Sequence, residues 1–425
     1  MSTPSSWPTK PLRAVTKGTS TWNPSLEPRS TIHYVDVSAV SRERLEITQV
    51  TEILGATASS RARKIIEARD TIFATIRPGL KRVAQVPAAL HGEIASTAFC
   101  VLRPDTTHID PDYLFFATSC DAFVAAVAEM ETGASYPAVR DRDVLDAEIP
   151  IPPRTEQQQI ASVLKLLRRS LLQQFAIIET AMELKQTAMH ELFTRGLRGA
   201  AQKETELCVM PENWEAVRLG QVCALSTGTT PATKDKHYYE GEIPFIKTAD
   251  IVNNRISTAN TFISQQAVDD YSLKLFPPGT VLMAMYGQGK TRGQVSLLEI
   301  TAATTQNAAA IQPSNVIDST FLWHYLLSCY ERLRGMGSLG HVSHLNLGYL
   351  RDLLVVMPPL AEQKEIAEIL NALDRKIDLH HKKRAVLEEL FKAMLHKLTT
   401  GEIRVDELDL SVLLGAEADS EEVAA

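Results

Sequence analysis

IPPRTEQQQIASVL (151–164) returns as MPPLAEQKEIAEIL (357–370), 206 residues further along the chain. Seven of the fourteen aligned positions are identical: Pro152 and Pro358, Pro153 and Pro359, Glu156 and Glu362, Gln157 and Gln363, Ile160 and Ile366, Ala161 and Ala367, Leu164 and Leu370. Each copy opens a long run of apolar residues three and four apart, and the runs end alike, in LFTRG (192–196) and LTTG (398–401). A period this long exceeds any solenoid repeat. It means two large, similar halves, each a globular part followed by a long helix.

The Pro-Pro pair excludes helix before it. Thr155 with Gln158 reads as a capping box for the first helix, a signal the second copy lacks because Ala361 holds the cap position. Apolar positions in the first run are Ile160, Leu164, Leu167, Leu171, Phe175, Ile178, Met182 and Met189. In the second they are Ile366, Leu370, Leu373 and Ile377, then His380 and Arg384 in register, then Leu387, Phe391, Met394 and Leu398. Steps of three and four sustained this far describe a coiled-coil seam. A helix of about 40 residues is about 60 Å long at 1.5 Å per residue. Two of them pair most simply with each other, antiparallel if a pseudo-twofold axis relates the halves. Packing each on its own globular part is the alternative, and it leaves much of so long a seam uncovered.

The globular parts repeat as well. TIFATI (71–76) and TVLMAM (280–285) lie 209 apart, as do AFCVLRP (98–104) and NAAAIQP (307–313). Helix-like runs at 112–130 and 321–333 correspond at an offset of 208, and AEIPIPP and LLVVMPP at 206. Small drifting offsets are those of a duplicated domain with short loop insertions. Mixed strands and helices make the unit α+β, used twice. Residues 1–30, interrupted by Pro4, Pro8, Pro11, Pro24 and Pro28, read as loop.

Composition sets the class. Of 425 residues, 44% are hydrophobic and 22% charged, ordinary for globular domains, and the length suits two or three of them. No apolar run has the roughly 18 residues of a membrane span, and MSTPSSWPTKPLRAV does not resemble a signal peptide. Five scattered cysteines, 100, 120, 208, 223 and 329, form no CxxC pair, which fits a reducing cytoplasm. The net charge is −7, and residues 405–425 alone hold seven acids and no base, an acidic disordered tail. The rest is neutral, so only a local patch can serve a polyanion.

The chain resembles the DNA-specificity (S) subunit of type I restriction–modification systems. The resemblance rests on the duplicated Pro-Pro-x-x-Glu-Gln-x-x-Ile-Ala opening and on PENWEAVRLGQV (211–222). It also rests on TGTTP (227–231), GEIPFIKTADI (241–251), PPGTVLMAMYG (277–287) and QNAAAIQP (306–313). It implies two target recognition domains, 1–150 and 206–356, joined by two long helices, 151–205 and 357–404, that pair as an antiparallel coiled coil with pseudo-twofold symmetry. In that family each domain reads one half of a split DNA target and the helices act as a ruler. The same helices dock two modification (methyltransferase) subunits, which carry S-adenosylmethionine, and motor-nuclease restriction subunits join them. The resemblance implies a cytoplasmic, non-catalytic chain with no cofactor or metal of its own.

Candidate DNA-facing residues sit on loops that follow the repeated strands. RPGLKR (77–82) and YGQGKTR (286–292) offer Arg77, Lys81 and Arg82 in one half and Tyr286, Gln288, Lys290 and Arg292 in the other. Basic side chains on bent loops hold phosphates or reach guanine edges, and Gln288 suits adenine. GASYPAVR (133–140), with Ser135, Tyr136 and Arg140, aligns with GHVSHLNL (340–347), with His341 and Asn346. Thr229 and Thr230, followed by Lys234, form a third group. Solvated turns carrying incidental charge would read the same. On the helices, Phe175, Phe391, Gln157 and Gln363 form a candidate face for partner subunits.

Rival functions are weaker. GQGKT (287–291) has Ala284 where a phosphate-binding loop needs glycine, and RGQVSLLEI (292–300) reads as strand rather than helix. PIPPR and VMPPL lack the acid or amide before, and the aromatic after, of an adenine methyltransferase motif. Two α+β modules on a coiled coil that bind only proteins remain open on sequence physics alone.

Overall fold

The computed structural model describes residues 7–133, 135–205, 209–287, 290–336 and 345–408. The chain divides into two compact units, 1–176 with 381–425, and 177–380. Each holds one globular module and one end of both long helices.

In unit 1 the strand Thr71–Ala74 lies inside an antiparallel sheet ordered Thr16–Lys17, Phe99–Pro104, Thr71–Ala74, Val83–Gln85. All four residues of TIFA are buried because both faces are covered. Alternate side chains feed different cores, as strand geometry requires. Phe73, Cys100 and Leu102 pack toward the Pro111–Ser119 helix, whereas Ile72, Ala74, Phe99 and Val101 join Val35, Val40 and Ile66. A second sheet, with Ile94–Ser96 parallel to Thr31–Val35, closes that other core.

Unit 2 repeats the arrangement. Val281–Ala284 pairs with Ala308–Ile311, Val281 opposite Ile311 as Thr71 lies opposite Leu102, so this strand matches at an offset of 210, one more than the 209 read from the sequence. Its side chains split likewise, Val281 and Met283 to one core, Leu282 and Ala284 to the other.

The helix-like runs are each two helices, Pro111–Ser119 then Asp121–Ala128, and Ser319–Ser328 then Tyr330–Met336. Asp110 and Asp318 cap the first of each pair through the backbone N–H groups of Asp112 and Tyr113, and of Thr320 and Phe321.

Residues 9–17 are not loop. Thr9–Pro11 pairs antiparallel with Glu148–Pro150, a two-stranded ribbon whose edge tolerates proline. Glu215–Arg218 pairs with Leu354–Met357 in the same way. The four described cysteines are buried free thiols.

The long helices run Arg154–Arg195 and Leu360–Thr400. The expected Thr155 capping box is absent, because helix already begins at Arg154. The Pro153 and Pro359 carbonyls accept the first helical bonds, from Gln157 and Gln363 (2.9 and 3.0 Å). Each helix ends at a glycine in the left-handed region, Gly196 (φ 65°) and Gly401 (φ 78°), which explains the repeated LFTRG and LTTG endings. At Gly196 a Cβ would also fall 2.9 Å from Glu362 Oε1.

The helices pair antiparallel within each unit. In unit 1, Glu156 meets Arg404 and Phe175 meets Arg384. In unit 2, Lys185 meets Asp374, and Glu362 accepts the Leu197 N–H. The seam is as expected, with one exception. Met182 is 54% exposed, and Ala181 faces inward in its place. Val405–Glu407 forms a further turn with Val405 buried in the unit 1 core, so folded chain continues past 404, where a tail was expected. Residues 409–425 lie outside the described residues.

Candidate nucleic-acid interface

In unit 1 the chain leaves Thr71–Ala74 and is zipped to the 132–140 loop. Val139 N–H donates to the Thr75 carbonyl (2.9 Å) and Arg77 N–H to the Pro137 carbonyl (2.8 Å). The turn Pro78–Leu80 lies between two left-handed residues, Arg77 (φ 48°) and Lys81 (φ 54°). Such a backbone costs a non-glycine residue about 1 kcal/mol, so its surroundings hold it. Arg77 is exposed, with its guanidinium 5.9 Å from the ring centre of Tyr136, itself 77% exposed. Ser135 and Arg140 are exposed on the same loop.

Lys81 and Arg82 do not join that surface. Lys81 Nζ bonds to Asp121 (2.6 Å), which also meets Lys392. Burial pushes the Asp121 carboxyl up, but the two lysines outweigh it and leave it below its ordinary range. Arg82 donates to the Val37 and Val40 carbonyls (3.1 and 2.5 Å), tying down a neighbouring turn. Both cations hold the module together.

In unit 2 the corresponding loop exposes Tyr286 and Lys290, and the Met285 carbonyl accepts the Leu345 N–H, the counterpart of the zip in unit 1. Arg292 is half-buried and donates to the Arg334 carbonyl (2.8 Å), again a structural use. The strand Val295–Leu298 follows, not the helix of a phosphate-binding loop. Gly228 of TGTTP is buried where a Cβ would fall 1.8 Å from the Thr304 carbonyl oxygen, so only glycine fits. Thr229 and Lys234 remain exposed, while the Thr230 hydroxyl donates to Gln306. The exposed Asn346 caps the Leu347–Asp352 helix through the Tyr349 N–H (3.0 Å). Gln288 and His341 lie outside the described residues.

The helix-opening Glu-Gln pair has a role that the repeat did not reveal. Gln157 is buried, accepts the Asp110 N–H (2.8 Å) and donates to the Pro152 carbonyl (2.9 Å). Gln363 does the same with Asp318 and Pro358 (2.8 Å each). Glu156 and Glu362 meanwhile reach the far end of the other helix, through Arg404 and through Leu197, and Glu362 also accepts the Trp214 indole N–H (3.1 Å). These glutamines are struts rather than the partner-facing positions the sequence suggested, and Phe391 is buried against Phe116. The repeated Ile-Asp at 109–110 and 317–318 was the sequence signal for the other end of each strut.

Among the described residues no group of His, Cys, Asp and Glu could hold a metal, and no helix is long and apolar enough to cross a membrane.

Comparison with known proteins agrees with the duplicated layout. The family model for the type I restriction modification DNA specificity domain matches residues 59–179 and 211–389, more than half of the chain. The chain is 22% identical over 306 residues to the type I restriction enzyme MjaIX specificity subunit of Methanocaldococcus jannaschii, covering 70% of each. A structure solved for complex assembly and conformational transition of the type I R–M system aligns with a TM-score of 0.58 and 29% identity, over 95% of this chain and 100% of that one. The type I S subunit from M. genitalium shares the fold, with a TM-score of 0.60 at 16% identity, over 94% of this chain and 98% of that one. With its domain present twice, each copy on its own length of paired helix, the chain belongs to the type I restriction–modification DNA specificity family.

Proposed function

We propose that this chain reads a bipartite DNA target, one short block per module, with the long helices fixing the run of unread bases between the blocks. The duplication carries the reading. Two modules built alike, with the same strut to the same pair of helices, suit two half-sites whose separation is set by protein geometry. The chain is not itself catalytic. It serves two methyltransferase subunits, which hold S-adenosylmethionine and methylate adenine, and motor-nuclease subunits that join them in the cytoplasm.

Arg77, Ser135, Tyr136 and Arg140 face DNA from unit 1, and Thr229, Lys234, Tyr286, Lys290 and Asn346 from unit 2. All are exposed. Arg77 over Tyr136 suits a guanine edge beside a stacked base or sugar. Partner subunits dock on apolar residues that the helices leave exposed: Met182, Leu184 and Leu379 in unit 2, Val386 and Leu390 in unit 1.

The test is to co-express the chain with its neighbouring methyltransferase and map methylated adenines across the host genome by direct-read sequencing. The expected result is a split motif, two specific blocks separated by a fixed number of arbitrary bases. A soluble complex that leaves no methylation motif would overturn the reading and favour a protein-only scaffold.

A further inference from the structure

Beyond the strut, each module meets its helices again, farther along, at an arginine laid over an aromatic ring. In unit 1 the arginine is on the helix. Arg168 lies over Phe115 (5.3 Å) of the Pro111–Ser119 helix and donates to the Arg44 and Leu45 carbonyls (3.3 and 3.0 Å). It also meets Glu46 (3.3 Å). In unit 2 the arginine is on the module. Arg255 lies over Trp323 (4.9 Å), the counterpart of Phe115, and donates to Asn371 Oδ1 on the long helix (2.6 Å). The module loop is equivalent in both, carrying a left-handed residue, Leu45 (φ 52°) or Asn253 (φ 63°). The helix position that holds Arg168 in one unit holds Asp374 in the other. The contact has thus been kept while its arginine changed sides.

Packing alone does not require this. A planar guanidinium fixed by stacking and by directed hydrogen bonds defines an orientation that an apolar contact would leave loose. The second contact lies eleven residues beyond Gln157 in unit 1 and eight beyond Gln363 in unit 2, about 16 and 12 Å along the helix at 1.5 Å per residue. A shared apolar core holds each module against its helices, and the two separated sets of directed bonds fix its pitch there.

We infer that Arg168 and Arg255 are positioning residues that, with the Gln157 and Gln363 struts, set the pitch of each module on its helices and so the spacer that the target must have. The inference rests on the bipartite reading above. A base-pair step is only about 3.4 Å, so a module whose pitch is loosened meets targets one step too short or too long.

The test uses the full chain in its methyltransferase complex, with duplexes carrying the mapped target and the same blocks with one base pair more or fewer between them. Arg168→Met and Arg255→Met keep apolar bulk and lose the directed bonds. Both are expected to slow methylation of the mapped target on the order of tenfold. Discrimination against the altered spacers should fall, while the bases read in each block stay the same. Arg168→Lys, which keeps charge without the fork, should fall between. Moving the unit 2 arginine to the helix, Arg255→Glu with Asn371→Arg, should restore spacer discrimination. Assembled variants with the wild-type spacer profile, or with altered base preference instead, would overturn the inference. If both methionine variants fail to assemble, Arg168→Lys with an unchanged profile does so. A wild-type complex with no split motif fails earlier, on the proposed function itself.

Discussion

His324 stands in unit 2 where Phe116 stands in unit 1, and the exchange has a cost in acid. Its side chain is fully buried, with one ring nitrogen 3.0 Å from Asn371 Oδ1 and the other without a partner. Burial holds its pKa down at about 3, the Asn371 bond opposes this, and Lys185 and Arg255 push it lower, while Asp318 pulls it up. Asp374 lies 3.9 Å away. In the unfolded chain the imidazole titrates near 6.5, so below that pH the unfolded state binds a proton that the folded state refuses. The stability His324 permits is intact above pH 6.5 and is lost as pH falls toward 3, by at most about 1.4 kcal/mol per pH unit. His324→Phe should remove that loss. Urea midpoints at pH 7.5 and pH 5 should differ less for the variant than for the parent chain, and an unchanged difference would contradict the assignment. Arg77 carries the opposite lesson at this scale. It was one of three neighbouring cations in the sequence, and it alone stays exposed because the partners of the other two come from far away. Asp121 is 40 residues from Lys81, and the Val37 and Val40 carbonyls are more than 40 before Arg82. Spacing within a loop cannot reveal partners that the fold delivers.

Among elements, the helix openings were the easiest to find and the hardest to interpret. Identity of Glu156 and Gln157 with Glu362 and Gln363 marked them as important, and polarity near a helix start suggested a surface. Burial decides otherwise. Each glutamine satisfies a backbone N–H and a buried carbonyl that belong to different elements. Gln157→Leu should therefore orphan the Asp110 N–H and the Pro152 carbonyl and destabilise unit 1 by about 1–3 kcal/mol. Gln363→Leu should do the same to unit 2. Hydrogen exchange resolved by peptide would check this, since protection should fall mainly around 110–118 in one variant and 318–326 in the other. Equal loss in both units would argue against separate struts. The central strands were legible for a simpler reason: TIFA and VLMA are buried on both faces, and continuous apolar runs survive duplication as recognisable text.

For the whole molecule, helix length is the quantity that the sequence displays most openly and that function would read most directly. Deleting matched turns from both helices, four residues from each in the 172–186 and 373–387 stretches, should shift the spacer of the methylation motif while leaving both blocks intact. Genome-wide mapping of methylated adenines would show it, and an unchanged spacer would mean that the helices do not set the separation. The duplication, the strands and the helix seam could all be read in one dimension, because each is a local pattern repeated. Which of the candidate side chains stay exposed could not, because that depends on which cations the folded module uses for itself.

The division of the chain also bears on how it is made. Unit 2 is one uninterrupted stretch, 177–380, and can close as soon as it leaves the ribosome. Unit 1 cannot. Phe391, Leu395, Leu398 and Val405 belong to the same core as Phe73 and Leu164, so the module translated first is completed last. At 5–20 residues per second, the roughly 200 intervening residues impose a wait of about 10–40 s. Through that wait Ile160, Leu164 and Leu167 lack their helical partner, so the nascent first half is the part of this protein most in need of a chaperone.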